Sequence, residues 1–121
     1  MCYTRVTINN RRLSMDYSQY SSLSKLPRKH LDAIKDSYIE RLHATMGMTG
    51  EAGEVSEIIK KHIFYHKPLD IHHLKEEMGD VLFYFVWLLD EVGLTLEEVM
   101  DYNIDKLSKR YPDEFNKKKG E

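Results

Sequence analysis

The chain of 121 residues is poor in the residues that staple, break or loosen a fold: it has one cysteine, three prolines and six glycines. A lone cysteine, Cys2, allows no intrachain disulfide, which removes the disulfide-scaffold class and points to a reducing compartment. So little glycine and proline excludes collagen-like and low-complexity chains. No charge of one sign prevails, since 18 Lys and Arg stand against 20 Asp and Glu for a net charge of -2. A surface so balanced lacks the general basic field of a nucleic-acid binder. Long apolar runs are missing too. The longest, Val81 to Leu89, falls well short of the roughly 20 residues that cross a bilayer. The opening MCYTRVTINNRR has no apolar stretch of the secretory kind. What is present, 41% hydrophobic and 31% charged residues, reads as a soluble, cytoplasmic, single-domain protein. A chain of this size buries roughly two-thirds of its unfolded surface without covalent help.

Residues 1–29 read as a polar N-terminal arm. Within it Tyr3 and Arg5-Val6-Thr7-Ile8 alternate weakly, as a short strand or extended segment would, and residues 15–20 start a short helix capped by Ser14 or Asp16. From 30 to 112 the pattern is helical almost throughout. Leu31, Ile34, Tyr38 and Leu42 recur at helical spacing and predict a first long helix. Gly47, Gly50 and Gly53 predict a kink or pause, after which Ala52, Val55, Ile59 and Ile63 form a second stripe. Lys67-Pro68-Leu69 interrupts, and Asp70 is placed to cap a helix over residues 71–91 with a core stripe of Ile71, Leu74, Met78, Leu82, Phe85 and Leu89. Gly93 ends it, Thr95-Leu96-Glu97-Glu98 reads as a capping box, and the last helix stops before Pro112. Residues 113–121, with Lys117-Lys118-Lys119, read as a solvated polar tail. The class is all-α: four main helices with short connections, a four-helix bundle.

The acids carry the chemistry. Glu51 and Glu54 lie three residues apart and so share a helix face, and Glu77 and Asp80 repeat that spacing on the helix after Asp70. Like charges so placed repel. On antiparallel helices the two pairs converge, and four carboxylates in a confined space call for a hard divalent cation such as Mg²⁺ or Mn²⁺, which holds phosphates and activates water. The bland alternative is two solvated acidic faces. Against it stand Gly53 and Gly79, one inside each pair. Glycine in a helix costs roughly 1 kcal/mol relative to alanine, so its presence there suggests close helix packing or close ligand approach. Tyr84, one turn beyond Asp80, can offer its ring to a base.

The motif Glu51-Ala52-Gly53-Glu54, then residues 55–76, then Glu77-Met78-Gly79-Asp80-Val81-Leu82-Phe83-Tyr84, resembles the MazG-like nucleotide pyrophosphohydrolases of the all-α NTP pyrophosphatase superfamily. The stretch from Asn103 to Pro112, NIDKLSKRYP, is similar to the family's final helix, so the resemblance covers residues 30–112. It implies Mg²⁺-dependent hydrolysis of a nucleoside triphosphate, ribo or deoxy, to monophosphate and pyrophosphate, in the cleaning of nucleotide pools, with Mn²⁺ as a substitute metal. Glu51, Glu54, Glu77 and Asp80 match the metal-binding acids. Lys106 and Arg110 match residues that hold phosphates, Asn103 a substrate contact, and Tyr84 a residue near the sugar or base. The proton of the attacking water would go to Glu54 or Glu76. Many relatives carry a third acid where Gly50 stands, some a basic residue at His73, and the dCTP-specific ones an aromatic at Lys61, so dCTP specificity is not favoured.

Other features read as structural. His62, His66, His72 and His73 cluster around the Lys67-Pro68 loop without a cysteine or clear third ligand, so helix-end histidines are preferred to a zinc site. Lys60 and Lys61 read as exposed lysines, and Trp87 as buried. The long helix is apolar on more than one face, which predicts a homodimer or dimer of dimers, as in the relatives. The rival readings are a same-fold hydrolase of another phosphoanhydride, such as phosphoribosyl-ATP, and a non-catalytic helical interaction module.

Overall fold

The computed structural model describes residues 15–28 and 36–119, all in helices and the turns between them. In chain order the helices are α1 (Tyr17–Ser24), α2 (Ser37–Phe64), α3 (Ile71–Val92), α4 (Leu96–Arg110) and α5 (Pro112–Lys119). The strand-like reading of Tyr3 to Ile8, the Ser14 cap, and Leu31 with Ile34 lie outside the described residues. Among these residues no helix is long and apolar enough to cross a membrane.

Local chemistry accounts for most boundaries. Asp16 caps α1 in a capping box with Gln19, accepting from its backbone N–H at 2.8 Å. Asp70 caps α3 by accepting from the His73 N–H at 3.0 Å, and Thr95 with Glu98 forms the expected box at the start of α4. Gly93 ends α3 at φ 73°, a left-handed conformation in which a Cβ is strained.

Two expectations change. Residues 37–64 form one helix of 28 residues rather than two separated by a pause, capped by Asp36. The three glycines weaken this helix but none breaks it. No proline intervenes, and packing along the next helix offsets their cost; the Thr45, Thr49 and Ser56 hydroxyls bond back to carbonyls one turn earlier, at 2.8, 3.0 and 3.3 Å, without interrupting the helix. Of the four main helices expected, the described residues therefore hold three, because two merge, together with the expected short helix α1 and an unexpected short one at the C-terminal end, five in all. One of those is α5, where a solvated tail was expected: α4 does stop before Pro112, and the proline, whose fixed φ suits a first helical turn, then opens α5.

Helices α2 and α3 pack as an antiparallel hairpin that carries the core: Ala44 and Ile58 from α2, and Val86, Trp87 and Leu89 from α3. The buried face of α3 is displaced from the expected stripe. Leu89 belongs to it, but Ile71, Met78 and Leu82 are 50%, 56% and 40% exposed. A helix with one long neighbour buries one face, and the second apolar face of α3 has no cover among the described residues. Trp87 is buried as expected, its indole N–H donating to Glu91 at 3.1 Å. Helix α1 lies against α3, while α4 packs chiefly on α5 and buries none of its own residues.

Candidate metal centre

The hairpin register assembles the site. His43 faces Trp87 at 4.8 Å between ring centroids, Gly47 lies beneath the Tyr84 ring, and Glu51 meets Glu77 and Asp80. Nearer the connecting loop, Ile58 and His73 line the same cleft. Residues 44, 47, 51 and 58 recur at three-, four- and seven-residue intervals, so one stripe of α2 faces α3 along its length. Gly47 is where the backbones need room, since a Cβ there would run into the Tyr84 ring. Gly53 and Gly79, by contrast, face open space. Close helix packing is therefore not their purpose.

One oxygen each from Glu51, Glu77 and Asp80 lies within 4.8 Å of the others. Oxygens at about 2.0–2.6 Å from a shared cation stand no more than about 5 Å apart, so these three fit a divalent ion with little rearrangement. The electrostatics say the same. Glu51 is pushed up to about 7, first by the hydrogen bond it shares with Glu77, then by burial, and then by the charges of Asp80, Glu77 and Glu54. A glutamic acid that keeps its proton to neutrality marks a place where negative charge is in excess. Burial also raises Asp80, with Glu77 and Glu76 adding to it, and raises Tyr84, with Glu51 and Asp80 adding to that.

The remaining candidates fall into three places. Glu54 stands on the flank of the facing stripe and opens into a cleft of about 370 Å³ with Ile58, Lys61, His62, Pro68 and His73. Glu76 is paired with His72 at 3.0 Å and borders a shallow groove with Gly79 and Asp80. Asn103 and Lys106 line a separate pocket with Leu94, Val99 and Tyr102, and Arg110 is exposed at the end of α4. The structure thus gathers three of the four motif acids with Tyr84, and leaves Asn103, Lys106 and Arg110 on α4, which packs chiefly on α5.

Two contacts were missed. His73 places Nε2 at 3.2 Å from Glu77 Oε1, so Glu77 is held between an imidazole and Glu51. The four-residue spacing from His73 to Glu77 was a readable signal for it. Tyr20 on α1 is half-buried close enough to Asp80 for that carboxylate to raise its phenol; no local spacing could have announced this. Among the described residues the acidic triad is the one metal-competent cluster, and no histidine joins it. His62 instead binds the Lys67 carbonyl through Nδ1 at 2.7 Å, as a helix-end histidine would.

An all-α chain with convergent carboxylates on a helical hairpin defines the class. The comparisons then place it: the MazG nucleotide pyrophosphohydrolase domain model matches residues 40–115, and the chain belongs to that family. It is 30% identical over 94 residues to an uncharacterized protein, YpjD, of Bacillus subtilis (strain 168), a match spanning 74% of this chain and 84% of the relative. It is also 36% identical over 73 residues to the Gene 37 protein of Mycobacterium phage L5, across 56% of this chain and 63% of that one. No solved structure matches.

Proposed function

We propose that the protein is a divalent-cation-dependent nucleoside triphosphate pyrophosphohydrolase, cleaving between the α- and β-phosphates to release a nucleoside monophosphate and pyrophosphate. The observation that carries this reading is the convergence of Glu51, Glu77 and Asp80 from two helices, in a chain whose family hydrolyses nucleotides. Glu51, Glu77 and Asp80, with Glu54 beside them, are the metal-binding acids. Mg²⁺, with Mn²⁺ as a substitute, would neutralise phosphate charge there and lower the pKa of a bound water.

The residues divide the rest of the work. Water attacks the α-phosphorus, the bond to the β-phosphate oxygen breaks, and a carboxylate takes the water's proton. Of the two candidates, Glu76 is engaged by His72, whereas Glu54 opens into the cleft beside the triad, so Glu54 is assigned the proton. Tyr84 lies near enough to Glu51 and Asp80 for their charges to act on its phenol, and its ring can face the sugar or base. Asn103, Lys106 and Arg110 are the phosphate and substrate contacts. Because α4 packs chiefly on α5, a second copy of the chain is the proposed means of bringing these groups over the acids, in a homodimer or dimer of dimers. The uncovered Met78 and Leu82 on α3, and Met100 and Ile104 on α4, give that copy an apolar surface to bury.

The test is a panel of ribo- and deoxynucleoside triphosphates with Mg²⁺ and product identification. Monophosphate plus pyrophosphate is expected, and Glu54→Gln should lower turnover about a hundredfold or more, the scale of general-base loss. Release of orthophosphate and a diphosphate would overturn the reading.

A further inference from the structure

One side chain from ahead of the family-matched residues is sunk into α3. Arg28, only 8% exposed, places its guanidinium 2.9 Å from Asp90 and 5.6 Å from the centre of the Trp87 ring, and reaches back to the Ser24 hydroxyl at 3.5 Å. A buried ion pair adds little stability by itself, because both charges must leave water and an apolar pair of similar volume does as well. What arginine supplies that neither an apolar side chain nor lysine can is a flat, always-charged fork with one orientation over an indole.

That indole is the middle of a relay along one side of α3. Trp87 is fully buried, its N–H is taken by Glu91, and its ring lies nearly parallel to that of Tyr84, at 18° and 6.1 Å between centroids. Tyr84 itself is only half-buried. Gly47 of α2 bounds its ring, Phe83 meets it edge-on at 5.2 Å, and Trp87 backs it. Residues 80, 84 and 87 follow at four- and three-residue steps, so Tyr84 stands between the acidic triad and the Arg28–Trp87 stack on one helix face. A ring held in one plane before a base arrives loses less freedom when the base stacks on it.

We propose that Arg28 is a positioning residue of the nucleotide site. By clamping Trp87 it fixes the plane of Tyr84 for stacking against the base, so a segment outside the family-matched residues takes part in recognising the nucleoside half of the substrate. This rests on the pyrophosphohydrolase reading, with Tyr84 at the base.

Two probes separate the halves of the substrate. One is the α,β-methylene analogue of the nucleoside triphosphate hydrolysed fastest, which binds without being cleaved; the other is inorganic tripolyphosphate, which has no base. Both are titrated calorimetrically into the full-length protein in saturating Mg²⁺. Arg28→Lys, which keeps a charge opposite Asp90 and loses the planar stack, should weaken the analogue about tenfold, the lower range of what stacking on an aromatic side chain contributes. Tripolyphosphate and Mg²⁺ affinities should stay at wild-type values. Arg28→Met, which keeps bulk over the indole without the fork, should give the same split and covers a folding failure of the lysine variant. Trp87 is the protein's one tryptophan, so its emission reports the clamp and should move to longer wavelength as water reaches the ring. Tyr84→Ala should cost the analogue a similar factor, and combining it with Arg28→Lys should cost no more, because both act through one ring. Wild-type analogue affinity in either folded Arg28 variant overturns the proposal, whatever the emission shows. So does an equal loss of tripolyphosphate affinity, which marks a general structural role, and so do losses that multiply in the double variant. Failure of the wild-type protein to hydrolyse any nucleotide, by contrast, sinks the pyrophosphohydrolase reading itself.

Discussion

Glu51 holds a proton that its unfolded counterpart would have given up. In the unfolded chain it titrates near 4.5 and in the fold near 7, so between those values the native state binds the extra proton. Stability linked to that proton is complete below about pH 4.5 and is lost as pH rises through 7. Asp80, also raised, works in the same direction. Thermal melts of metal-free protein should therefore show the melting temperature falling from pH 5.5 to pH 8. Glu51→Gln should flatten that fall and be the more stable form at pH 8. Added Mg²⁺ should raise the melting temperature most at pH 8, where no proton competes for the same oxygens. A melting temperature that rises over that pH range would mean the acids are held by cations of the chain itself. At this scale the sequence was informative about identity and silent about proximity. Three-residue spacing places Glu51 with Glu54 and Glu77 with Asp80 on their helix faces, but which members meet depends on how the two helices are rotated against each other. That rotation sends Glu51 to Glu77 and Asp80, and Glu54 to the flanking cleft.

Helix α2 shows where reading by element succeeds and fails. Caps are local, so Asp16, Asp70, Gly93 and Thr95 with Glu98 could all be read from a few neighbouring residues. Whether glycines interrupt a helix is not local, because the cost of each is met by packing elsewhere along the same helix. Gly47, read as a pause, proves to be a contact: it leaves space for Tyr84. Gly47→Ala should therefore destabilise the protein, since the added methyl must displace a ring in a packed interface, at a cost of about 1–3 kcal/mol that outweighs a helix-propensity gain of about 1. Gly50→Ala and Gly53→Ala meet nothing and should stabilise by up to about 1 kcal/mol. Urea unfolding of the three variants checks the order. If Gly53→Ala is also less active despite greater stability, the open space beside Glu51 and Glu54 is where ligand approaches.

In the molecule as a whole, apolar surface is distributed as if the single chain were unfinished. Tyr38, Leu42 and Met46 along α2, Ile71, Met78 and Leu82 along α3, and Met100 and Ile104 on α4 are all exposed. Rows of this kind on adjacent helices are burial sites awaiting cover rather than scattered surface residues. Sedimentation at micromolar concentration should show a dimer or tetramer, and Leu82→Asp should shift it toward monomer by placing a charge on the second face of α3. A monodisperse, active wild-type monomer would refute this and leave Lys106 and Arg110 without a role at the acids. The all-α class was legible because hydrophobic period is a property of each segment. Which face of α3 is buried was not, because that depends on how many neighbours the helix meets and not on its own period.

The hairpin of α2 and α3 is joined covalently only at one end, through residues 65–70, and the triad lies beyond that loop, at the middle of α2 and in the first half of α3. A cation bridging Glu51 to Glu77 and Asp80 would be a removable cross-link there, closing a second loop within the first. The far portions of both helices are held already by the packing of Ala44, Val86, Trp87 and Leu89. The ion would therefore lock the acidic stretch that lies between that core and the connecting loop, and leave the aromatic end to its own packing.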